Sequence, residues 1–244
     1  MSINAADYST INPANSPHED TYLAMSNLDI TPAEYMVEPN ESLSMAHDPY
    51  DQRCEKIRAL RTELLLRREP NCSEVIALLS PGPGEGRSLL AAELAIAFAQ
   101  MGRPTLLVDA DLRRPRQHVF FGTDNNPGLV QALQYGTRPQ YRRVRSLPRM
   151  ALLTAGEVPT NPLELLTSHN FAAMIGEWRE SYEFVVIDTA PITHFSDGLV
   201  VANLASRVLA MSRAQHTSYK SMQDMLRRLG STRAQVLGAV ISYF

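Results

Sequence analysis

The chain has 244 residues, 44% of them hydrophobic and 20% charged, with a formal charge of −3 at pH 7. That length can bury a full core as one α/β domain plus extras, and no apolar run approaches the roughly 18 residues of a membrane span. Cys54 and Cys72 have no metal-ligand spacing and suggest a reducing compartment, and no secretory signal is expected, since residues 1–50 hold no Lys, no Arg and no apolar block.

The small net charge hides a division. Residues 1–50 hold eight acids and no Lys or Arg, a charge of −8, which leaves 18 acids against 23 bases, or +5, in the rest. This opening stretch is rich in Asn, Ser and Pro and has little apolar periodicity. It reads as a disordered tail over residues 1–48, ahead of one domain over 49–244. An acidic tail on a basic body is suited to fold over the body's binding site. Its tyrosines, Tyr8, Tyr22, Tyr35 and Tyr50, each have an acid close before them: Asp7, Asp20, Glu34 and Asp48.

The first predicted element is a helix from about Asp51 to Arg68, within residues 49–68, with Cys54, Ile57, Leu60 and Leu64 on one stripe. Glu55, Arg58 and Arg61 form a charged ridge beside it. Next come an apolar strand, Val75–Ser80, the turn Pro81–Ser88 (PGPGEGRS) and an Ala- and Leu-rich helix, Ser88–Met101. Glu93 interrupts that helix, which therefore reads as a core helix and not a span. Strand, Gly-rich turn and helix in this order are the context of a P-loop, Gly-x-x-x-x-Gly-Lys-Ser/Thr. Pro81 replaces its first glycine and Arg87 its lysine, while Gly86 and Ser88 fit. Glycines let backbone N–H groups curl around phosphates, and the helix N-terminus adds partial positive charge.

Two further strands end in acid. Thr105–Asp109 delivers Asp109 and Asp111, and Phe184–Asp188 delivers Asp188. Parallel sheets gather ligands outside the carboxyl ends of their strands. One anion-binding loop and three carboxylates would meet there, a set able to hold Mg²⁺ through its waters. The remaining strands are predicted at Ala151–Thr154, Val208–Ser212 and Val236–Tyr243. Helices are predicted at Gly128–Tyr135, Asn161–Arg179 with a break, Asp197–Ala205 and Ser218–Leu229. Gly102 and Gly230 stand where helices end. The alternation predicts an α/β domain with a doubly wound, mostly parallel sheet.

Five segments carry a resemblance: Glu55-x-x-Arg58-x-x-Arg61, the altered P-loop, LLVDADLRRP (106–115), AGEVPTNPLELL (155–166) and VVIDTAP (185–191). From about Tyr50 to Phe244 the chain resembles the bacterial P-loop tyrosine kinases tied to exopolysaccharide chain-length control. The Arg form of the loop and the RRPRQH run (113–118) look most like the kinases encoded with exosortase systems. The resemblance implies a P-loop NTPase fold of the MinD/ParA-like type and an ATP- and Mg²⁺-dependent protein tyrosine autokinase. It implies that Gly82, Gly84, Glu85, Gly86, Arg87, Ser88 and Leu89 bind the nucleotide, with Arg213 framing the adenine. Ser88, Asp111 and Asp188 would hold Mg²⁺. Asp109 would receive the tyrosine hydroxyl proton, with Arg87 as the second catalytic group. Glu55, Arg58 and Arg61 would meet a neighbouring subunit in a homo-oligomeric ring. The expected partner is a membrane chain-length-determinant protein, which would hold a cytoplasmic kinase at the inner membrane; no nucleic acid partner is implied.

Two departures matter. Ser242 stands where that family has Asn, and no tyrosine-rich C-terminal cluster is matched, so the N-terminal tyrosines are the candidate phosphoacceptors; the other reading of the tail is a segment that only contacts the membrane partner, or a solvated linker. One alternative reading is a catalytically degenerate scaffold that binds the membrane partner. A dimeric partitioning ATPase is disfavoured, because those carry an extra lysine early in the loop. Here Gly82, Pro83 and Gly84 leave no place for it, and the chain's two lysines are Lys56 and Lys220.

Overall fold

The computed structural model describes residues 35–48, 50–70 and 72–243. Its strands are β1 (Met36–Val37), β2 (Glu74–Leu79), β3 (Thr105–Ala110), β4 (Arg142–Val144), β5 (Met150–Leu153), β6 (Phe184–Thr189), β7 (Arg207–Arg213) and β8 (Gln235–Ser242). They form one sheet in the order β1-β4-β5-β3-β6-β2-β7-β8, parallel throughout except where β4 meets β5. The central strands β2, β3 and β6 are buried along their whole length. That is why EVIALL, TLLVDA and FVVIDT read as apolar runs without alternation: both faces of a parallel sheet are covered.

The helices are α1 (Ser44–His47), α2 (Gln52–Leu66), α3 (Arg87–Ala99), α4 (Gln117–Phe120), α5 (Leu129–Tyr135), α6 (Pro162–Leu166), α7 (His169–Ser181), α8 (Asp197–Ala205) and α9 (Tyr219–Leu229). One face of the sheet packs Val75, Val108 and Val185 against Phe171, Trp178, Val201 and Met225, contributed by α7, α8 and α9. The other packs Ile76, Leu107 and Val186 against α2 and α3, with Phe98 stacked on Phe184 at 3.9 Å. Among the described residues, no helix is long and apolar enough to cross a membrane.

The predicted strands and longer helices lie within two residues of their expected bounds. The last strand stops at Ser242, so Tyr243 lies outside the sheet and is 82% exposed. Two short strands, β1 and β4, and two single-turn helices, α1 and α4, have no counterpart in the sequence reading.

The expected disordered tail over residues 1–48 needs correction. Residues 36–47 lie against the domain: β1 pairs in parallel with β4, and Val37, Leu43 and Met45 are buried. The reason is Glu93. It is 1% exposed in the middle of α3, and burial raises the pKa of its carboxyl. Its two oxygens accept from the Ser44 and Met45 N–H groups at 2.9 Å each, and Arg53 Nη2 donates to Oε1 at 3.1 Å. A buried acid in an apolar helix needs partners, and this segment supplies two of the three.

Candidate active site

The P-loop joins β2 to α3. Gly84 and Gly86 take φ of +73° and +87°, conformations that a side chain would strain, and Gly86 stands at the N-cap of α3. Glu85 is folded into the loop, where its Oε1 accepts from Gly82 N–H at 3.1 Å and burial raises its pKa. Arg213 Nη1 donates to the Gly84 carbonyl at 3.2 Å, and His216 Nε2 lies 3.3 Å from the Pro83 carbonyl oxygen. The loop after β7 therefore braces the phosphate loop. Gly84, Gly86, Ser88 and Leu89, with Asp111, Arg114 and Arg116, line an open cavity of about 440 Å³. A more apolar cavity of about 340 Å³ adjoins it at Gly86 and Leu89, lined by Met211, Val240, Ser242 and Tyr243.

The three acids predicted from the strand ends converge beside that loop. Asp109 and Asp188 are register partners on β3 and β6. Arg87, 7% exposed, lies across the group: Nη2 donates to Asp111 Oδ2 at 3.1 Å and Nε to Asp188 Oδ1 at 3.2 Å, while Nη1 bonds Ser80 Oγ. Arg87 thus compensates the two carboxylates that the sequence assigns to the metal. Burial and the Asp188 charge raise the Asp111 pKa, against the pull of Arg87.

Asp109 is enclosed differently. Its side chain is fully buried, with Oδ2 accepting from Arg116 N–H at 3.0 Å and Gln117 N–H at 2.9 Å, and Oδ1 from Asp111 N–H at 3.2 Å. Burial, and then the neighbouring Asp188, hold its pKa well above the usual carboxylate range. In this conformation Asp109 anchors the start of α4. The sequence reading gave no role to Gln117, which lies within the RRPRQH run (113–118) and is also fully buried here. Arg113 turns away to Asp197, with donors at 2.6 and 3.1 Å, and packs 3.8 Å over the Phe195 ring. Arg114 and Arg116 remain at the cavity.

Asp111 and Asp188 carry the oxygen ligands that a hard divalent cation prefers, and Ser88 in the first turn of α3 lines the same cavity as Asp111. Arg87 occupies both carboxylates here, and among the described residues no group of three or more His, Cys, Asp or Glu is placed to hold a metal ion.

The expected assembly and acceptor residues lie elsewhere. Glu55 and Arg58 pair on the exposed side of α2. Arg61 turns inward, donating from Nη1 to the Ala97 carbonyl at 3.0 Å, and burial lowers its pKa. Tyr50 is 94% exposed just before α2 and Tyr35 is half-buried, whereas Tyr8 and Tyr22 lie outside the described residues.

A Gly-turned loop after β2, acids at the ends of β6 beside it and of β3 one strand further on, and the N-terminus of α3 define a doubly wound P-loop nucleotide-binding domain. Among known proteins the chain is 30% identical over 196 residues to the tyrosine-protein kinase YwqD of Bacillus subtilis, covering 80% of this chain and 83% of that protein. It is 31% identical over 196 residues to the tyrosine-protein kinase wzc of Salmonella typhimurium, but spans only 27% of that longer protein. The solved kinase domain of Escherichia coli tyrosine kinase ETK superposes with a TM-score of 0.79 at 26% identity, covering 84% of this chain and 80% of that one. The chimerical protein CapA2B2 gives 0.78 at 29%, covering 93% and 99%. No protein-family model matches the chain. The septum site-determining protein MinD of Pyrococcus horikoshii, at 17% identity and a TM-score of 0.59, shares the fold alone. The chain belongs to the bacterial tyrosine-protein kinases.

Proposed function

We propose that the chain is an ATP- and Mg²⁺-dependent protein tyrosine autokinase that regulates exopolysaccharide synthesis, chain length or export. The single observation that supports this most is the convergence of Asp111 and Asp188 on Arg87 beside the P-loop. Phosphoryl transfer needs positioning and charge neutralisation more than covalent help, and this cluster provides both. The Gly82–Ser88 backbone holds the β-phosphate, and Arg87 leaves the acids for the phosphates. Ser88, Asp111 and Asp188 hold the metal. The Arg213 loop and the apolar cavity at Ser242 would take the adenine. Asp109 takes the tyrosine proton, which requires it to come within hydrogen-bond reach of the acceptor.

A degenerate scaffold is less well supported, because Arg87 keeps a cation at the lysine position and both metal-side acids are in place. The Glu55 and Arg58 face of α2 meets the next subunit of a ring, a heterologous contact that must close or polymerise. A membrane chain-length-determinant protein is the partner, and it keeps the kinase at the inner membrane from the cytoplasmic side. The N-terminal tyrosines Tyr8, Tyr22, Tyr35 and Tyr50 are the acceptors, because an acidic segment suits a pocket rimmed by Arg114 and Arg116.

Labelling with radioactive ATP, followed by phosphopeptide mapping, tests the reading. Asp188→Asn should weaken metal-dependent ATP binding, whereas Asp109→Asn should spare binding more than autophosphorylation. Equal loss of binding in both variants would contradict the division of roles. An absence of ATP-dependent phosphotyrosine in the parent would favour the scaffold.

A further inference from the structure

We propose that Gln117 is a positioning residue for the metal-side carboxylate Asp188, fixing one of its oxygens so that the other is presented to the cation. The inference rests on the reading of Asp188 as a metal holder and assigns the group that supports it.

Gln117 opens α4 and has no exposed surface. Its backbone N–H donates to Asp109 Oδ2 at 2.9 Å. Its side-chain Nε2 donates to Asp188 Oδ2 at 2.9 Å and to the Ser88 carbonyl at 2.9 Å. One residue therefore ties together the ends of β3 and β6 and the first turn of α3. The amide orientation is dictated by its neighbours: Asp188 and the Ser88 carbonyl are both acceptors, so only the NH₂ group can face them.

The two oxygens of Asp188 are held by partners of different kinds. Oδ1 faces the Arg87 guanidinium at 3.2 Å, and Arg87 also serves Asp111. Oδ2 faces the neutral Gln117 amide. A phosphate gives Arg87 somewhere else to go, because a guanidinium binds phosphate as readily as carboxylate. The Gln117 NH₂ group is fully buried, and both its hydrogens are already donated, to Asp188 Oδ2 and to the Ser88 carbonyl. A cation held at Asp188 would take the Arg87 place at Oδ1, while Gln117 would keep Oδ2 oriented. Outer groups of this kind orient a ligand, and their loss typically lowers metal affinity about 10- to 100-fold. The Gln117 Oε1 atom is buried without a hydrogen-bond partner, an acceptor left over for a donor that arrives with the ligand.

Mn²⁺ is the probe, with ADP as the nucleotide and free Mn²⁺ counted by electron paramagnetic resonance on the full chain. Gln117→Met keeps the approximate volume and removes the donor; Gln117→Glu replaces the donor with an acceptor facing Asp188. The Mn²⁺ half-saturation should rise about tenfold in Gln117→Met and further in Gln117→Glu, while ADP binding without metal stays at the parental level. In labelling assays the metal requirement should rise and turnover should recover at saturating metal. If Gln117→Met fails to fold, Gln117→Glu carries the test alone. Unchanged Mn²⁺ binding in the Gln117 variants, with weakened binding in Asp188→Asn, would overturn the Gln117 assignment alone. Unchanged binding in Asp188→Asn would remove the reading beneath it. Loss of metal-free ADP binding in every folded Gln117 variant would reduce the residue to a structural role and overturn the proposal.

Discussion

The two ends of the sheet bury charge in opposite proportions. At the amino ends of the strands, Glu183 is shared by Arg68 and Arg103, and Glu74 pairs with Arg207 at 3.2 Å, so three guanidinium groups face two acids. At the carboxyl ends, Asp109, Asp111 and Asp188 crowd together and Arg87 bridges two of them. In the first arrangement each acid has at least one guanidinium partner, although burial still raises the Glu74 pKa, and the arrangement can be read as structure. The second holds more negative charge than Arg87 neutralises, which is costly in a buried place unless a cation joins it. Burial, and behind it the Asp188 charge, raises the pKa of both Asp109 and Asp111, whereas at the other end burial raises that of Glu74 against the pull of its arginines. A buried ion pair is therefore weak evidence for function, while a cluster of like charge short of partners is stronger evidence.

Arg87→Ala should cut autophosphorylation on the order of 100-fold, as removal of a charge-stabilising donor typically does. Arg87→Lys should retain activity or raise it, since lysine keeps the charge in compact form. With Arg87 gone, Mg²⁺ should raise the melting temperature more in Arg87→Ala than in the parent. Parental labelling by Arg87→Ala would show that the loop has been assigned wrongly.

At the opposite end, Glu183→Ala should cost about 3 kcal/mol of stability by urea unfolding, because Arg68 and Arg103 lose a shared, buried partner. Nucleotide binding by the folded protein should stay at the parental level. A binding defect with unchanged stability would erase the contrast between the two ends.

A smaller effect is expected on α2. Replacing Glu55, Arg58 and Arg61 together by Ala should lower the mass measured by light scattering. The lost bond from Arg61 to the Ala97 carbonyl should cost about 1 kcal/mol. An unchanged mass would remove this ridge from the assembly proposal.

The smallest effect concerns Glu93, buried like the strand-end acids but fully partnered. Burial raises its pKa above the ordinary 4.5. Between those two values the folded chain binds more protons than the unfolded chain, so this group's contribution to stability is lost as pH rises through that window. Gln at this position does not titrate. The melting-temperature advantage of the parent over Glu93→Gln should therefore shrink as pH rises from about 4 towards 7. A constant or growing gap would show that the raised pKa is not the controlling effect.

The amino-acid sequence by itself determined the strand-and-helix alternation, the P-loop with its two altered letters and the three strand-end acids. Each of these is local: apolar runs end at Asp109 and Asp188, and glycines mark the turn. The tertiary structure decided what those residues face. It seated residues 36–47 on the domain through Glu93, since a lone acid in an apolar helix announces a need for donors but not their source. It turned Arg61 inward, although the sequence placed it on the charged ridge of α2, and Arg113 towards Asp197. It placed Gln117 between Asp188 and the Ser88 carbonyl, a position that depends on three elements far apart along the chain. Periodicity and motif spacing record contacts repeated within one element, whereas the partner of a buried polar group is fixed only when the sheet brings separate strand ends together.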